Sequence, residues 1–258
     1  MASALPPPIP LVGEAYAPAV LAAAFEEGFP LEFCASESFS PDFVAGLIRE
    51  GFIPMATAWM PGRDLLLPKL HLLRACLDPR AVHVTRTARR VSKESVLSVG
   101  SAFEEVLGRC VEVHGDEWLR PPLVDVFLEL ASKGVADGFG LLSFELRRGS
   151  RLVAGEFGAL VGTCYTSWSG FRLEDGAGTV QLVSTARALA RAGVELWDLG
   201  MPLRYKEGLG AVVLSRARFL SEFRRARASN RAPRFDFLPE DARTLIDASP
   251  SDGGSSRA

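Results

Sequence analysis

One carboxylate stands where an apolar run meets a turn in the segment VELWDLGMPLRYKEGLGA, Val194 to Ala211. The run Val194 to Trp197 predicts a strand, and Asp198 follows it directly before Leu199 and Gly200. Ligands of open α/β sheets bind beyond the carboxyl ends of strands, so this position suits a catalytic or substrate-orienting Asp. An Asp is also favoured in turns, where its side chain caps the backbone. Position alone leaves both roles open.

Other familiar catalytic motifs do not occur in the chain. Ser167 and Ser169 lie in no GxSxG turn, and no Walker loop is present. The stretch RLEDGAG, Arg172 to Gly178, is an incomplete form of the glycine turn that holds an acyl-CoA pyrophosphate at a helix N-terminus. We favour the simpler interpretation, a glycine-rich turn between a strand and a helix. Trp118 precedes a proline-initiated helix and suits either stacking on a nucleobase or packing against that helix.

The charge distribution is uneven although the net charge is only -2 over 258 residues. A neutral balance gives no general sign of nucleic-acid binding. From Arg216 to Arg234, however, the chain has seven Arg and one Glu. This local basic patch is suited to phosphate contacts, and it is equally typical of a solvated helix face.

Cysteine and histidine usage favours a reduced, cytoplasmic protein without a metal. The four Cys form no CxxC pair and only three His are present, which argues against a zinc site or a disulfide scaffold. The N-terminus MASALPPPIP lacks the features of a secretory signal, and no apolar run approaches the roughly 20 residues of a membrane span. Pro6 to Pro8 and the tail SPSDGGSSRA are typical of disordered ends.

The first half of the chain predicts helices separated by loops. The expected features are a helix capped by Ser40-Pro41 and ended by Gly51, a loop-rich region from Phe52 to Arg80, a strand at Ala81 to Val84, a capping box at Ser101 to Glu104 that opens a helix to about Cys110, and a helix opened by Pro121-Pro122.

The second half has a clear alternation of strands and helices. It predicts two strands joined near Gly149, a strand at Tyr165 to Phe171, a helix at Thr179 to Ala192, a strand at Val194 to Leu199, a short helix from Pro202, a strand near Ala211 to Leu214, and a basic helix from Arg216 to Arg227. This β-β-β-α-β-α-β order predicts an α/β (α+β) fold with a mixed sheet and a crossover helix.

Four segments, in order, resemble the leucyl/phenylalanyl-tRNA–protein transferase family. They are IREGFIPM from Ile48, HGDEWLRPPLVDVFLEL from His114, RLVAGEFGALVG from Arg151 and ELWDLGMPLRYKEGLGAVVLSRARFL from Glu195. The resemblance covers Phe29 to Phe223, and the order and spacing of the segments make it specific.

The resemblance implies a GNAT-like acyltransferase domain and an aminoacyltransferase. In this reaction the N-terminal amine of a protein that starts with Arg or Lys attacks the ester of an aminoacyl-tRNA, which can mark the protein for degradation. The ester is already activated, so no cofactor is expected, and we expect a monomer with no membrane partner. The expected domains are 1–28 as an N-terminal extension, 29–95 as a smaller N-terminal domain, 96–235 as the GNAT-like transferase domain and 236–258 as a flexible tail.

The resemblance also implies roles for individual residues. Asp198 would accept a proton from the attacking amine or orient it. Trp118 would stack on the terminal adenosine, and Tyr165, Phe171 and Met201 would line the aminoacyl side-chain pocket. The arginines expected to hold the tRNA backbone are Arg216, Arg224 and Arg225.

Several positions depart from the family pattern. The family motif G-E-S-M-F aligns with Ser167 to Phe171, so Trp168 stands at the Glu position beside Ser169. Gly200 stands for a Gln, Tyr205 for a His, and Leu66 to Lys69 for the W-W-S-P region. Trp168 would then fill or reshape the aminoacyl pocket.

The last departure is Glu156, which replaces an apolar family position on the adjacent strand. It suits either a relocated carboxylate or an exposed strand residue, and the sequence favours the latter. Three functions stay open: a transferase with altered substrate choice, an acyl-CoA-dependent GNAT enzyme, and a catalytically silent module that binds tRNA or N-termini.

Overall fold

The computed structural model describes residues 9–248. Its helices are α1 Pro18–Glu26, α2 Pro41–Arg49, α3 Arg86–Val91, α4 Phe103–His114, α5 Pro121–Ser132, α6 Ala177–Ala192, α7 Arg204–Gly208, α8 Arg216–Arg227 and α9 Ala242–Asp247, with a 3-10 turn at Pro79–Ala81. Its strands are β1 Ile53–Met60, β2 Arg63–Lys69, β3 Leu73–Leu77, β4 Ser95–Val99, β5 Phe139–Arg148, β6 Arg151–Val161, β7 Cys164–Arg172, β8 Leu196–Asp198, β9 Val212–Ser215 and β10 Glu240–Asp241. Pro6 to Pro8 and the tail SPSDGGSSRA lie outside the described residues.

Eight strands form one mixed sheet in the order β10-β4-β5-β6-β7-β8-β3-β9, and β1 and β2 form a separate hairpin. Only the β7–β8 pair is parallel within the described sheet. A parallel neighbour needs a crossover connection, and α6 supplies it. The junction between β7 and β8 is therefore the one place in this sheet where two strand ends of the same polarity lie side by side.

Helices cover both faces of the sheet. One buried cluster includes Phe43 of α2, Cys110 of α4, Phe127 of α5 and Phe219 of α8. The second cluster lies on the other face and is built on the small and β-branched residues of α6, among them Val180. Because side chains alternate along a strand, neighbouring residues of β6 and β7 enter different clusters.

The expectations for the second half of the chain are confirmed. The elements follow the order β5-β6-β7-α6-β8-α7-β9, which is the predicted β-β-β-α-β-α-β order. The basic helix α8 has the predicted bounds, Arg216–Arg227. Both the α/β class and the crossover helix are therefore present.

The expectations for the segment Phe52 to Arg80 are wrong. This segment holds three strands, β1 to β3, while no strand covers Ala81 to Val84. Proline suggested a loop, but Pro54 and Pro68 face each other in the β1–β2 hairpin. A two-stranded hairpin leaves an edge free on each strand, where a missing N–H group is tolerated.

The predicted capping box is also absent. Helix α4 begins at Phe103 with Ala102 as its N-cap and without a side-chain cap. The Ser101 hydroxyl instead donates to Glu145 on β5, at 2.8 Å. A nearby buried carboxylate has replaced the helix backbone as the partner of this serine.

Strand β3 belongs by number to the expected smaller N-terminal domain, 29–95. In the structure it lies between β8 and β9 in the large sheet. The domain boundaries stay a prediction. Within residues 9–248 no helix combines the length and apolar character needed to cross a membrane.

Arg216, at the start of α8, is buried and ties that helix to the N-terminal part of the chain. Its guanidinium group donates five hydrogen bonds of 2.7–3.1 Å to four backbone carbonyls, which belong to Phe25, Phe29, Leu31 and Leu70. A guanidinium has five N–H donors, so all are used. With 6% of its surface exposed, Arg216 has no donor left for a phosphate, and the expectation that it binds the tRNA backbone is wrong.

We expect Arg216→Ala to lower the free energy of unfolding by on the order of 3–5 kcal/mol, because four buried carbonyls lose a charged donor. Denaturant unfolding followed by circular dichroism measures this loss. Arg225→Ala is the matched control from the same helix, since Arg225 is 76% exposed and should leave the midpoint almost unchanged. Equal midpoints for the two variants would contradict the anchoring role of Arg216.

Candidate active site at the β7–β8 junction

Strands β7 and β8 separate after a short parallel stretch. Their pairing ends at Thr166 and Asp198. Beyond this point β7 continues along β6 through a bulge at Ser167–Trp168. The chain after β8 turns instead toward β3, where Ala75 donates its N–H to the Gly200 carbonyl at 2.8 Å. The opening beyond Thr166 and Asp198, called the β7–β8 gap below, lies at the carboxyl ends of both strands, where α/β sheets bind ligands.

Asp198 is fully buried at the base of the gap. One oxygen, Oδ2, lies 2.5 Å from Nη1 of Arg74. The other, Oδ1, accepts the Gly200 N–H at 2.8 Å, and Gly200 has a φ of +73°. Asp198 is thus a turn cap and one half of a buried ion pair. Its catalytic role stays a prediction, since both oxygens already have partners.

Arg74, on β3, is the residue that sequence reasoning missed. Besides Asp198 it binds the Gly51 carbonyl at 2.8 Å, and its guanidinium lies 4.5 Å from the ring centroid of Phe219. The side chain is completely buried. The only sequence signal is an arginine inside the apolar run LHLLRACL, which lies in a segment whose prolines favour a loop.

One side of the gap carries an aromatic cluster on the α4–α5 face of the sheet. Trp168 stacks on Phe127 with ring centroids 4.8 Å apart, and it meets the edge of Phe157 at 6.0 Å. Trp118 lies parallel to Phe157 at 6.3 Å. The structure therefore brings the two predicted tryptophans together through Phe157. The Trp168 Nε1 atom is buried without a hydrogen-bond partner in the described part of the chain.

The opposite side of the sheet carries a polar cluster of the buried residues Glu156, Tyr165 and Gln181 and the half-buried Ser167. Glu156 is 3% exposed, so the expectation of an exposed strand residue is wrong. It precedes Phe157 on β6 and therefore points to the other face, toward α6. Ser167 accepts a hydrogen bond from the Trp197 indole at 2.8 Å. Within residues 9–248, Glu156 Oε1 and the Tyr165 hydroxyl are buried without a partner.

Burial dominates the electrostatics of this cluster. It raises the pKa of Glu156 to about 7, and nearby Ser167, Gln181 and Lys206 lower that pKa by less. Burial also raises the pKa of Tyr165, and the neighbouring carboxylates of Glu156 and Glu145 add to this effect. A carboxyl with a pKa near neutrality can change its protonation state under physiological conditions.

Lys206, on α7, holds the turn that follows β8. Its ammonium group donates to the Leu199 carbonyl at 2.5 Å and to the Met201 carbonyl at 2.8 Å. Burial lowers the pKa of Lys206. The neighbouring Tyr205 and Met201 are 56% and 51% exposed and lie at the outer edge of this turn. The resemblance indicates Tyr205 as a site residue and gives no sign of the lysine beside it.

The remaining expected site residues are dispersed. Tyr165 and Phe171 belong to different core clusters, while Met201 lies at the surface, so the structure does not bring these three together. Ser169 is half-buried close to Cys110 of α4, whose pKa it lowers slightly against the effect of burial.

The two other arginines of α8 are in ion pairs near the surface. Arg224 pairs with Glu26 at 2.7 Å and Arg225 with Glu222 at 2.5 Å. Arg225 also lines, with Arg80 and Arg218, a cleft of about 620 Å³ between α8 and the β3–β9 edge of the sheet. Contacts of these two arginines with tRNA stay a prediction.

The RLEDGAG turn carries acidic groups at the start of α6. Glu174 pairs with Arg148 at 2.5 Å and with Arg151 at 2.6 Å. Gly176 is the N-cap with a φ of +77°. Carboxylates near a helix N-terminus occupy the place that a pyrophosphate would need. The geometry supports the interpretation of a strand-to-helix turn.

Removing Asp198 should leave Arg74 charged and unpaired in the core. We expect Asp198→Ala to lower the free energy of unfolding by about 3–5 kcal/mol. The double variant Arg74→Met/Asp198→Leu should be more stable than the summed losses of the single variants Arg74→Met and Asp198→Leu predict, because neither charge is then left alone. Denaturant unfolding of the two singles and the double variant measures this coupling, and additive losses would contradict the ion pair.

Glu156 should make stability depend on pH. Its folded pKa, about 7, lies above the ordinary value of 4.5, so the folded protein binds this proton more tightly than the unfolded chain does. The resulting stabilisation is complete below pH 4.5 and is lost as the pH rises through about 7. Glu156→Gln lacks this loss and should gain about 2 kcal/mol over the wild type between pH 5 and pH 8. Thermal unfolding of both proteins at pH 5 and at pH 8 measures the gain. A stability difference between Glu156→Gln and the wild type that is the same at both pH values would contradict the raised pKa of the buried carboxyl.

Comparison with known proteins gives a family match that includes both strands of the β7–β8 gap. The family model described as leucyl/phenylalanyl-tRNA protein transferase matches residues 76–224. A protein of that name from Anaeromyxobacter sp. (strain K) is 33% identical over 192 residues, 72% of this chain and 78% of the relative. One from Dinoroseobacter shibae is 26% identical, covering 72% and 81%. The solved C-terminal domain assigned to a lysylphosphatidylglycerol synthetase of Agrobacterium fabrum aligns with 92% of this chain and 73% of its own chain. Its TM-score is 0.37 and its sequence identity is 15%, so it supports no inference about this protein. By its sequence, the chain belongs to the leucyl/phenylalanyl-tRNA–protein transferase family.

Proposed function

We propose that this protein moves an amino acid from a charged tRNA to the N-terminal amine of a protein, as an aminoacyl-tRNA–protein transferase. The observation that carries the proposal is the family match over residues 76–224, which includes both strands of the β7–β8 gap and the buried groups around it. From the family assignment we expect the transferred amino acid to be leucine- or phenylalanine-like and the acceptor protein to start with Arg or Lys. The modified N-terminus would serve as a degradation signal.

The reaction needs positioning and proton transfer rather than a cofactor. The acceptor amine attacks the ester carbonyl, a carbon–nitrogen bond forms, and the bond to the tRNA ribose oxygen breaks. An N-terminal ammonium group cannot attack until it has lost a proton, so a group that accepts this proton speeds the reaction. The gap offers buried carboxylates, a buried lysine and aromatic surfaces within one region of the sheet.

The aromatic cluster supports a binding site for the aminoacyl end of the tRNA. Trp118 is half-buried, so one part of its ring packs beside Phe157 and the rest is open for stacking on the terminal adenosine. Trp168 occupies the bulge at the mouth of the gap and would limit the size of the transferred side chain. Arg224 and Arg225 would contact the acceptor-stem phosphates from α8.

Asp198 would act in this mechanism by shaping the gap. Its bond to the Gly200 N–H holds the turn after β8, and its ion pair with Arg74 holds that turn against β3. Gly200 stands where the resemblance expects a Gln, so this turn lacks that amide side chain.

The acyl-CoA alternative receives no support from the site. The turn that would hold the CoA pyrophosphate carries Glu174 and Asp175, and the arginines near it are paired with those carboxylates. A second negative group there would be repelled. A catalytically silent module that binds tRNA or N-termini would differ from the transferase only by its lack of activity. The experiment that tests the transferase therefore distinguishes the two.

The decisive measurement is a screen of every charged tRNA against peptides that start with Arg or Lys. We expect transfer of a labelled leucine- or phenylalanine-like residue to the free peptide and none to the same peptide with an acetylated N-terminus, since acetylation removes the attacking amine. Folded protein that transfers nothing would remove the transferase proposal. Binding of tRNA without transfer would then favour the silent module, and a thermal shift with CoA but not with puromycin would favour the acyl-CoA enzyme.

A further inference from the structure

The tip of the β1–β2 hairpin exposes an aromatic side chain. The register of the hairpin shifts between Ala58 and Met60, so Trp59 is the extra residue of a bulge. Trp59 is 56% exposed, and its neighbour Met60 is 48% exposed. Large apolar side chains that are exposed next to one another mark binding surfaces more often than folding contacts. The core therefore gives no reason for a tryptophan at this position.

The hairpin tip forms one wall of two open cavities. One has a volume of about 450 Å³ and is lined by residues 58–64 and by Arg120. The other has a volume of about 320 Å³, shares Trp59, Arg63 and Asp64, and adds the exposed Glu37. The first cavity has the size of a small-molecule site and is called the hairpin cavity below. Because the second cavity contains a further carboxylate, a negatively charged ligand should prefer the hairpin cavity.

Arg63 is the cation that the hairpin cavity presents to a ligand. The other cation, Arg120, donates from Nε to Asp64 at 2.9 Å and from Nη1 to Asp116 at 2.5 Å. Both of these carboxylates therefore have a partner. Arg63 is exposed and forms no salt bridge within residues 9–248. An exposed indole and an unpaired guanidinium in one cavity suit a nucleotide, whose base stacks on the ring while its phosphate contacts the cation.

The hairpin cavity adjoins the proposed adenosine site. The Ala56 N–H donates to the Trp118 carbonyl at 2.9 Å, so the chain at Trp118 lies against β1. Two residues after Trp118, the Arg120 side chain reaches Asp64 on β2. This segment therefore leads from Trp118 toward the hairpin tip. Trp59 lies three residues beyond Ala56, roughly 10 Å along the strand, so neighbouring nucleotides of one nucleic-acid strand can reach both tryptophans.

We propose that the hairpin cavity binds the penultimate nucleotide of the tRNA 3′ end, with its base stacked on Trp59 and its phosphate against Arg63. This inference rests on the proposed transferase function, and it extends the tRNA contact from the terminal adenosine to the nucleotide before it. The 3′ end of an aminoacyl-tRNA is single-stranded, so its bases are free to stack on aromatic side chains. A stacking platform of this kind accepts any base, because every base has a π-face.

A protein partner fits this surface less well than a nucleotide does. The exposed apolar side chains are confined to the hairpin tip, from Trp59 to Pro61. A stable protein interface covers about 800 Å² on each partner, which is far more than three side chains provide. A single base needs only one aromatic face, and Trp59 offers it.

Puromycin and cytidylyl-puromycin test the inference, because they differ by one nucleotide and its phosphate. We expect the wild type to bind cytidylyl-puromycin about 5–150-fold more tightly than puromycin, which is the range for stacking one base. Trp59→Ala should lose this difference and keep the affinity for puromycin, since Trp118 is unchanged. Trp59→Phe retains a ring and should keep part of the difference. The control Leu173→Ala removes a side chain that is 49% exposed outside the hairpin, and it should change neither affinity.

Salt dependence and transfer kinetics identify the group that is bound. The affinity ratio of the two compounds should fall with salt with a log–log slope of about −0.7, the value for one phosphate contact, and Arg63→Gln should remove this slope. In transfer assays Trp59→Ala should raise the KM for charged tRNA at an unchanged kcat. The KM for the acceptor peptide should stay the same, because the hairpin cavity holds the tRNA and not the peptide.

The inference and the proposed function fail in different ways. Equal affinities of the wild type for the two compounds would overturn the inference, and so would an equal loss of both affinities in Trp59→Ala. A raised KM for the acceptor peptide in place of charged tRNA would assign the hairpin tip to a protein partner and overturn it as well. Each of these results leaves the transferase function standing. A folded wild type that transfers nothing from any charged tRNA removes the proposed function itself.

Discussion

The buried ion pair between Arg74 and Asp198 sets the geometry on which the site depends. It joins β3 to β8 at the point where β8 leaves its parallel partner, and so it determines where the gap opens. Taking two charges out of water is costly unless further hydrogen bonds and contacts surround them. Here the Gly51 carbonyl, the Gly200 N–H and the Phe219 ring supply those contacts. The pair is therefore less a source of net stability than a constraint on how three segments meet.

The departures from the family pattern form one spatial arrangement. The resemblance expects Glu at position 168 and Met at position 170, and the chain has Trp168 and Gly170 instead. The bulge directs Trp168 into the aromatic cluster of Phe127 and Phe157, on the face opposite Glu156. Position 170 is crowded and suits glycine, since a Cβ atom there would lie 2.9 Å from the Gly155 carbonyl oxygen and 3.1 Å from the Glu156 Cβ. A carboxylate is thus present near the gap, on a different strand and a different face.

The sequence predicts those parts of the structure that depend on local patterns. Strands β5 to β7 and helices α6 and α8 follow from periodicity and glycine turns. Strand β3 does not, because prolines nearby suggested a loop and its partners β8 and β9 lie more than a hundred residues away. The same holds for the site. Asp198 is recognisable at a strand end, but its partner Arg74 is 124 residues earlier. The burial of Glu156 and of Arg216 depends on long-range packing that no spacing rule reports.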